Sequence, residues 1–315
     1  MGAPLYPALL NAWQRDFPLV PRPFGEIALR SGRSEHDVLE EFRLSQASGV
    51  IDRVGPVFRP NTVGASMLAA IAVPRERLKA VAAIVERERG VNHNYERDHS
   101  YNLWFVVTGA SEAEVDLTLS RIEEAAGLPV LRLPLLEEYH IDLGFDLVTR
   151  AAPREARQVT PPVLTADERK LVAAVTPGLP LVPRPYAALG LPEDQVIATL
   201  ERWLEAGIIR RIGAVVRHRS LGFRANAMVV WDVPDAEVGA IGARLAADAA
   251  VTLCYRRSRA LPDWPYNLYC MLHGRDTSRV LYDVKRLSVA VGLEQFPRTI
   301  LFSKRCFGQR AASYG

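Results

Sequence analysis

The residues best placed to do chemistry lie in one stretch, VNHNYERDHSYNLWFVVT, residues 91–108. His93, Tyr95, Arg97 and His99 occupy alternate positions there. In an extended chain alternate residues point to one face, so strand geometry held throughout would gather all four on one surface. Two imidazoles flanking a phenol and a guanidinium suit an acid that hands a proton to an anionic substrate. A plainer reading has His93 capping a turn and His99 solvated in one. The crowding of Tyr95, Arg97 and Tyr101 into the same few residues favours chemistry.

A second stretch, VTLCYRRSRALPDWPYNLYCMLHG (residues 251–274), repeats the pattern without its histidines. Arg256, Arg257 and Arg259 stand there beside Tyr255, Trp264, Tyr266 and Tyr269, with Lys304, Arg305 and Arg310 further on. Arginine forks pair carboxylates bidentately, which makes this group a candidate carboxylate cradle with aromatic faces for a flat ligand. The alternative is a solvated basic strand edge that discourages aggregation. Alternation along a strand lets only one of Arg256 and Arg257 face a ligand, and Arg257, the counterpart of Arg97, is the better choice. Leu103, Phe105 and Leu268 read as core.

The elements that must hold these residues come in two copies. LVPRPF at residue 19 returns as LVPRPY at 181, and residues 34–58 pair with 192–216. Asn94-Tyr95 pairs with Cys254-Tyr255, and YNLWF at Tyr101 with YNLYC at Tyr266. Each copy opens with a short helical module. In copy one, residues 7–16 and 23–31 have helical spacing. Ser34 then caps a helix whose apolar stripe is Val38, Leu39, Phe42 and Leu44, closed by Gly49. Residues 50–58, turning at Gly55-Pro56, read as a small hairpin or wing, and copy two repeats this with a wing around Gly213.

The second module alternates strand and helix. Copy one predicts strands over 65–73, 91–97, 101–108 and 130–136 and helices over 74–89 and 111–126. Copy two predicts strands over 225–233, 251–258, 266–272 and 296–302 and helices over 234–247 and 277–292. The expected fold is therefore α+β: a tandem duplication of a winged helix-turn-helix plus a ferredoxin-like βαββαβ module, arranged as a pseudo-twofold pair. The boundaries are 1–60 and 61–150 for copy one, a proline- and charge-rich linker at 151–165, then 166–218 and 219–315.

Composition narrows the function. The 315 residues are 49% hydrophobic and 24% charged, with a net charge of +3. That basic excess is too small to indicate nucleic acid or membrane by itself. No apolar run reaches membrane-spanning length and the N-terminus lacks signal-peptide character. The three cysteines show no CxxC spacing, so a reducing cytoplasm is the expected setting. No Walker loop, nucleophile elbow or strand-borne GxGxxG is present, and no Cys/His spacing marks a protein-held metal. The helix that would enter DNA carries Glu35, Asp37, Glu40 and Glu41, and its copy-two counterpart Glu193, Asp194, Glu201 and Glu205. Carboxylates there repel a phosphate backbone, which weighs against DNA binding.

The module order resembles the Lrp/AsnC regulators. HNYERDHSYNLWF, its partner CYRRS…WPYNLYC and the LVPRPF/LVPRPY pair are more specific, and together they resemble the siroheme decarboxylases. The likeness is to the fused form that joins NirD-like and NirL-like halves in heme d1 biosynthesis, over nearly the whole chain. It implies a cytoplasmic, non-oxidative carboxy-lyase that takes two acetate carboxyl groups from siroheme as carbon dioxide, giving didecarboxysiroheme with no added cofactor. The iron enters with the substrate. The family's histidine-bearing segment falls on His93, Tyr95, Arg97, His99 and Tyr101, implying catalysis by His93, His99, Arg97 and Tyr95. Substrate binding falls to Tyr101, Arg256, Arg257, Arg259, Tyr255, Trp264, Lys304 and Arg305. In copy two Leu253 stands at the first histidine position and the insertion 261–265 lies near the second. His99, in the turn beside Tyr101, is the favoured acid, and His93 the orienter or axial ligand to the substrate iron. Expected partners are siroheme, a second copy of the chain or other heme d1 biosynthesis proteins, with no membrane. The alternative function is a tetrapyrrole-responsive transcriptional regulator of the Lrp/AsnC type.

Overall fold

The computed structural model describes residues 8–141, 159–216 and 225–314. The first seven residues, most of the expected linker (151–158), and the module boundaries at 150 and 218–219 lie outside the described residues. Copy one runs α1 (Ala8–Ala12), α2 (Pro23–Ser31), α3 (Glu35–Ala47), β1 (Ile51–Phe58), β2 (Ala65–Ile71), α4 (Leu78–Arg87), β3 (Val91–Arg97), β4 (Leu103–Gly109), α5 (Glu112–Ala126) and β5 (Leu131–Ile141). Copy two runs α6 (Ala166–Val175), α7 (Glu193–Glu205), β6 (Ile209–Val216), β7 (Ala225–Trp231), α8 (Val238–Ala246), β8 (Val251–Arg257), β9 (Leu268–Gly274), α9 (Thr277–Val291) and β10 (Arg298–Gln309).

Ser34 caps α3 by accepting the Asp37 backbone N–H at 3.1 Å, freeing the helix to bury Val38, Leu39, Phe42 and Ser45. Leu44, expected on that stripe, is 61% exposed; the 3.6-residue period that buries 38 and 42 next buries 45. The arginine of each LVPRP motif explains its recurrence, since Arg22 pairs with Glu35 and Arg184 with Glu193. The expected wings are not hairpins. Among the described residues β1 is one unbroken strand, antiparallel to β6 of the other copy, with Gly55 opposite Gly213. Gly55-Pro56 therefore makes no turn, and a proline is tolerated because a two-stranded ribbon leaves an outer edge on each strand. This ribbon fuses the helical modules into one core in which Phe17, Phe24 and Phe42 meet edge to face at 5.4–6.4 Å and are joined by Tyr186 and Trp203. Gly213 permits close approach: a Cβ there would lie 2.4 Å from the carbonyl oxygens of Trp13 and Gln14. Gly213→Ala is accordingly expected to cost about 1–3 kcal/mol, read as a lower urea midpoint. A midpoint at or above wild type would show that the α1 end moves aside freely.

The βαββαβ modules close into a single barrel of order β10-β3-β4-β2-β5-β8-β9-β7. Copy one supplies β3-β4-β2-β5 and copy two β8-β9-β7-β10. The seams are β10 on β3 and β5 on β8, each antiparallel. Exchanging the copies exchanges the seams, which is the pseudo-twofold relation. β5 and β10 outrun their expected ends by five and seven residues, reaching Ile141 and Gln309. Their extra lengths are the halves that pair with the other copy, and closure leaves no sheet edge. The asparagine of each YNL motif is a clasp: Asn102 bonds both backbone groups of Val73 at 2.8–3.0 Å, and Asn267 those of Val233 at 2.9–3.0 Å. Helices cover the outer face. The inside holds Trp104, Leu133, Tyr255, Trp264, Tyr269 and Leu301, while Leu103, Phe105 and Leu268 are outer-face core.

Candidate active site

Strand β3 sorts its residues by alternation. Asn94 is fully buried and donates to the Ala82 carbonyl of α4 at 3.2 Å, which fixes the even positions on the helix-covered face. His93, Tyr95 and Arg97 therefore face the barrel interior. His93 stacks on Tyr95 with ring centroids 6.2 Å apart, and the Tyr95 hydroxyl donates to Gln309 Oε1 at 3.0 Å. Gln309 reaches this place only because β10 crosses to the other copy, so no local signal in the sequence could have marked it.

His99 does not continue the alternation, because β3 ends at Arg97 and residues 98–101 turn. The turn nevertheless brings its ring near-parallel to Tyr101 at 6.4 Å and edge-on to Trp264 of copy two at 5.5 Å. Its Nδ1 accepts the Tyr101 backbone N–H at 3.0 Å. A backbone N–H can only donate, so Nδ1 carries no proton and Nε2 is the protonated nitrogen. Burial lowers the His99 pKa as well. Both effects hold His99 neutral, which counts against its expected role as the acid.

Two arginines occupy equivalent interior positions. Arg97 donates from Nη1 to the Leu301 carbonyl at 2.9 Å, and Arg257 from Nη1 to the Leu133 carbonyl at 2.7 Å. Each anchor sits on a final strand, β10 or β5, so the cage is built across the copies. The Nε of each is buried without a hydrogen-bond partner, and among the described residues no carboxylate pairs with either side chain. Burial pushes the Arg97 guanidinium down to about 10, with Tyr255 and Tyr95 opposing the shift. Burial likewise lowers Arg257, whose guanidinium lies 4.7 Å from the Tyr255 ring centroid.

The rest of the expected cradle points elsewhere. Arg256 alternates to the outer face and pairs with Asp235 at 2.9 Å. Arg259 lies past the end of β8, paired with Asp232 and Asp235 at 2.9 and 2.8 Å. Lys304 and Arg305 are exposed at a bulge of β10, where they face Asp98, just past the end of β3, at 2.7 Å and Glu96 of β3 at 3.9 Å. The Lys304 ammonium holds the Asp98 carboxyl below its ordinary value. Basic composition marked these residues, but neighbouring acids consume their charge. Trp264 is 0% exposed, so its ring is core and offers no stacking face. Tyr255 is buried too, stacked on Tyr269 at 5.7 Å. Tyr101 and Tyr266 keep partial exposure. Among the described residues no three His, Cys, Asp or Glu side chains converge as a metal site, and no helix is long and apolar enough to cross a membrane.

The arrangement thus combines a histidine-bearing inner strand, a neutral N–H donor and two carboxylate-free buried guanidiniums. Residues 63–140 and 220–308 match the AsnC-like ligand binding domain family, and residues 7–51 and 168–210 the siroheme decarboxylase NirDL-like HTH domain. The siroheme decarboxylase NirDL subunit of Paracoccus denitrificans (strain Pd 1222) is 44% identical over 97% of this chain and 95% of its own. The siroheme decarboxylase of Hydrogenobacter thermophilus is 30% identical over 97% of this chain and 93% of its own. A crystal structure of the siroheme decarboxylase NirDL in co-complex with an iron-uroporphyrin III analogue aligns at a TM-score of 0.70 and 29% identity, covering 97% of this chain and 93% of that one.

Proposed function

The chain belongs to the siroheme decarboxylase family, and we propose that it removes two acetate carboxyl groups of siroheme as carbon dioxide, as a non-oxidative carboxy-lyase. The observation that carries the chemistry is the pair of buried, acid-free guanidiniums, Arg97 and Arg257, on the barrel's inner face, which His93 shares. A macrocycle rimmed with carboxylates supplies the charge that these donors match. The relative solved with an iron-uroporphyrin III analogue supports a ligand of that class.

The step balances without an oxidant. Protonation of a ring carbon makes the conjugated macrocycle an electron sink. The C–C bond to the carboxylate breaks, its electron pair enters the ring as an exocyclic double bond, and carbon dioxide leaves. Moving the proton to the exocyclic carbon gives a methyl group, so one proton is consumed per carboxyl lost. The iron arrives with the substrate, and the ring itself is the sink, so the reading adds no further cofactor. His93 is the proton donor in this reading, reversing the order expected from sequence. His99, held neutral, donates from Nε2 to a substrate carboxylate. Loss of the charged group is favoured where water is excluded, because water stabilises the carboxylate more than the transition state.

The regulator reading is weaker, because β1 and β6 are each other's partners rather than free wings and the acidic residues of α3 remain on the surface. The reaction's chemistry suits the cytoplasm, where siroheme as partner would be met. A second copy or other heme d1 biosynthesis proteins remain the protein partners proposed. Anaerobic incubation of the purified chain with siroheme, followed by mass spectrometry, is expected to show successive losses of carbon dioxide. An unchanged mass together with salt-sensitive specific DNA retardation would install the regulator instead.

Two further results follow from the site. Arg257→Ala is expected to weaken siroheme binding by about 1.5–3 kcal/mol, the scale of a hydrogen bond to a charged group. Arg256→Ala, which loses only its pairing with Asp235, leaves affinity within about twofold. Equal losses in both would return the arginines to a diffuse field. The pH profile tests His99. Turnover needs His99 neutral, so it falls on the acid side as His99, its pKa lowered by burial, gains a proton. His99→Gln keeps an N–H donor that cannot titrate. It should retain more turnover than His99→Ala and lose the acid limb, and an unchanged limb would assign it to another group.

A further inference from the structure

The two copies offer equivalent backbone positions but different surfaces. On the copy-one side His93, Tyr95, His99 and Tyr101 are all partly exposed. Aligning Asn94-Tyr95 with Cys254-Tyr255 places Leu253 at the His93 position, and aligning the YNL motifs places Trp264 at the His99 position. Leu253 has no proton to give, and Tyr255 and Trp264 are buried. The Trp264 ring is walled in by Trp104 and Tyr266, each at 5.0 Å, and by Tyr101 at 5.9 Å. Its Nε1 donates to the Tyr269 hydroxyl at 2.6 Å.

The segment that delivers Trp264 is not a loose lid. Ala260 and Trp264 exchange backbone hydrogen bonds at 2.8 and 2.9 Å, and Arg259 ties its start to Asp232, Asp235 and the Val233 carbonyl. Copy two has therefore spent its half of the pseudo-symmetric surface on a folded aromatic wedge that backs His99.

We infer that each chain has a single reactive centre, on the copy-one side, and that both carboxyl groups leave from it, the singly decarboxylated macrocycle being released and rebound between the two losses. The inference rests on the function proposed above. The two acetates sit at different points on the rim of a rigid disk, and a donor on β3 serves only a carbon within hydrogen-bond reach. The arginines cannot follow the rim, because Leu301 and Leu133 main-chain carbonyls fix them. Turning the disk in place would break its carboxylate–arginine contacts, which is the same event as unbinding. Each loss breaks one C–C bond and forms one C–H bond with one proton taken up, so the repeated step needs nothing new.

The test is a chase with the intact wild-type chain under anaerobic conditions. Isotopically labelled siroheme is supplied below one equivalent, and a large excess of unlabelled siroheme follows after the first loss. Most of the label should then be trapped as the singly decarboxylated product. Label that proceeds to the doubly decarboxylated product in undiminished yield would overturn release and rebinding. Titration followed by absorption should saturate at one siroheme per chain, and two would overturn the single centre. His93→Ala should slow both losses by the same factor. A variant that completes one loss at the wild-type rate and stops would reveal a second centre. A wild-type chain that loses no carbon dioxide at all would instead overturn the decarboxylase reading, and this inference with it.

Discussion

Replacing His93 by alanine is expected to lower siroheme turnover about 10²- to 10⁴-fold, the span of a lost general acid, and to change substrate affinity by less than about tenfold. The split between rate and binding follows from the barrel interior. The proposed carboxylate cradle, Arg97 and Arg257, stands on main-chain anchors that do not involve His93, so removing the imidazole leaves the cradle standing. If His93 instead ligates the substrate iron, the absorption spectrum of bound siroheme changes in the variant before any product forms. Spectrum and product mass can be read from one preparation, which separates the two roles. His99→Ala acts differently: the Nε2 donor is lost and affinity falls along with rate. Wild-type turnover in His93→Ala/His99→Ala would remove both histidines from the chemistry and leave Tyr95 as the inner-face donor.

Much of this site could be read along one strand, because period-two alternation is a local property. His93, Tyr95 and Arg97 share the inner face as their spacing predicts, and the same rule separates Arg257 from Arg256. Alternation fails at His99, where the strand has ended, and a turn packed on Trp264 places the ring instead. The larger misreadings have one cause, which is pairing between the copies. Gly55-Pro56 reads as a turn until β6 lies along β1, and β5 and β10 look short until their far halves find β8 and β3. Lys304 and Arg305 look like ligand binders until β3 and the turn after it bring Glu96 and Asp98 opposite them. A ladder between residues some 200 positions apart, such as Cys306 on Tyr95, leaves no periodic trace in either segment. The fold class needs only the order of elements, but the site needs the register.

Arg97→Met is expected to move stability and binding in opposite directions. A guanidinium buried without a carboxylate costs free energy in the unliganded protein, and an apolar side chain of similar length removes that cost. The variant should therefore be more stable than wild type by about 1–3 kcal/mol, the range seen when buried charges are replaced by packed apolar groups. Its pH dependence has a definite sign. The folded-state pKa of Arg97 is held down to about 10, below the unfolded value. Between those two values the unfolded chain binds more protons than the folded one, so wild-type stability gains with rising pH. The variant's advantage is full below pH 10 and shrinks above it. Siroheme affinity should fall by about 1.5–3 kcal/mol, as for Arg257, because the donor that burdens the folded chain is the one proposed to match a substrate carboxylate. Thermal melts with and without siroheme read both effects: the variant melts higher alone and gains less from ligand. A variant that melts lower alone yet binds siroheme normally would make Arg97 a strut between β3 and β10 and leave Arg257 alone to hold the carboxylate.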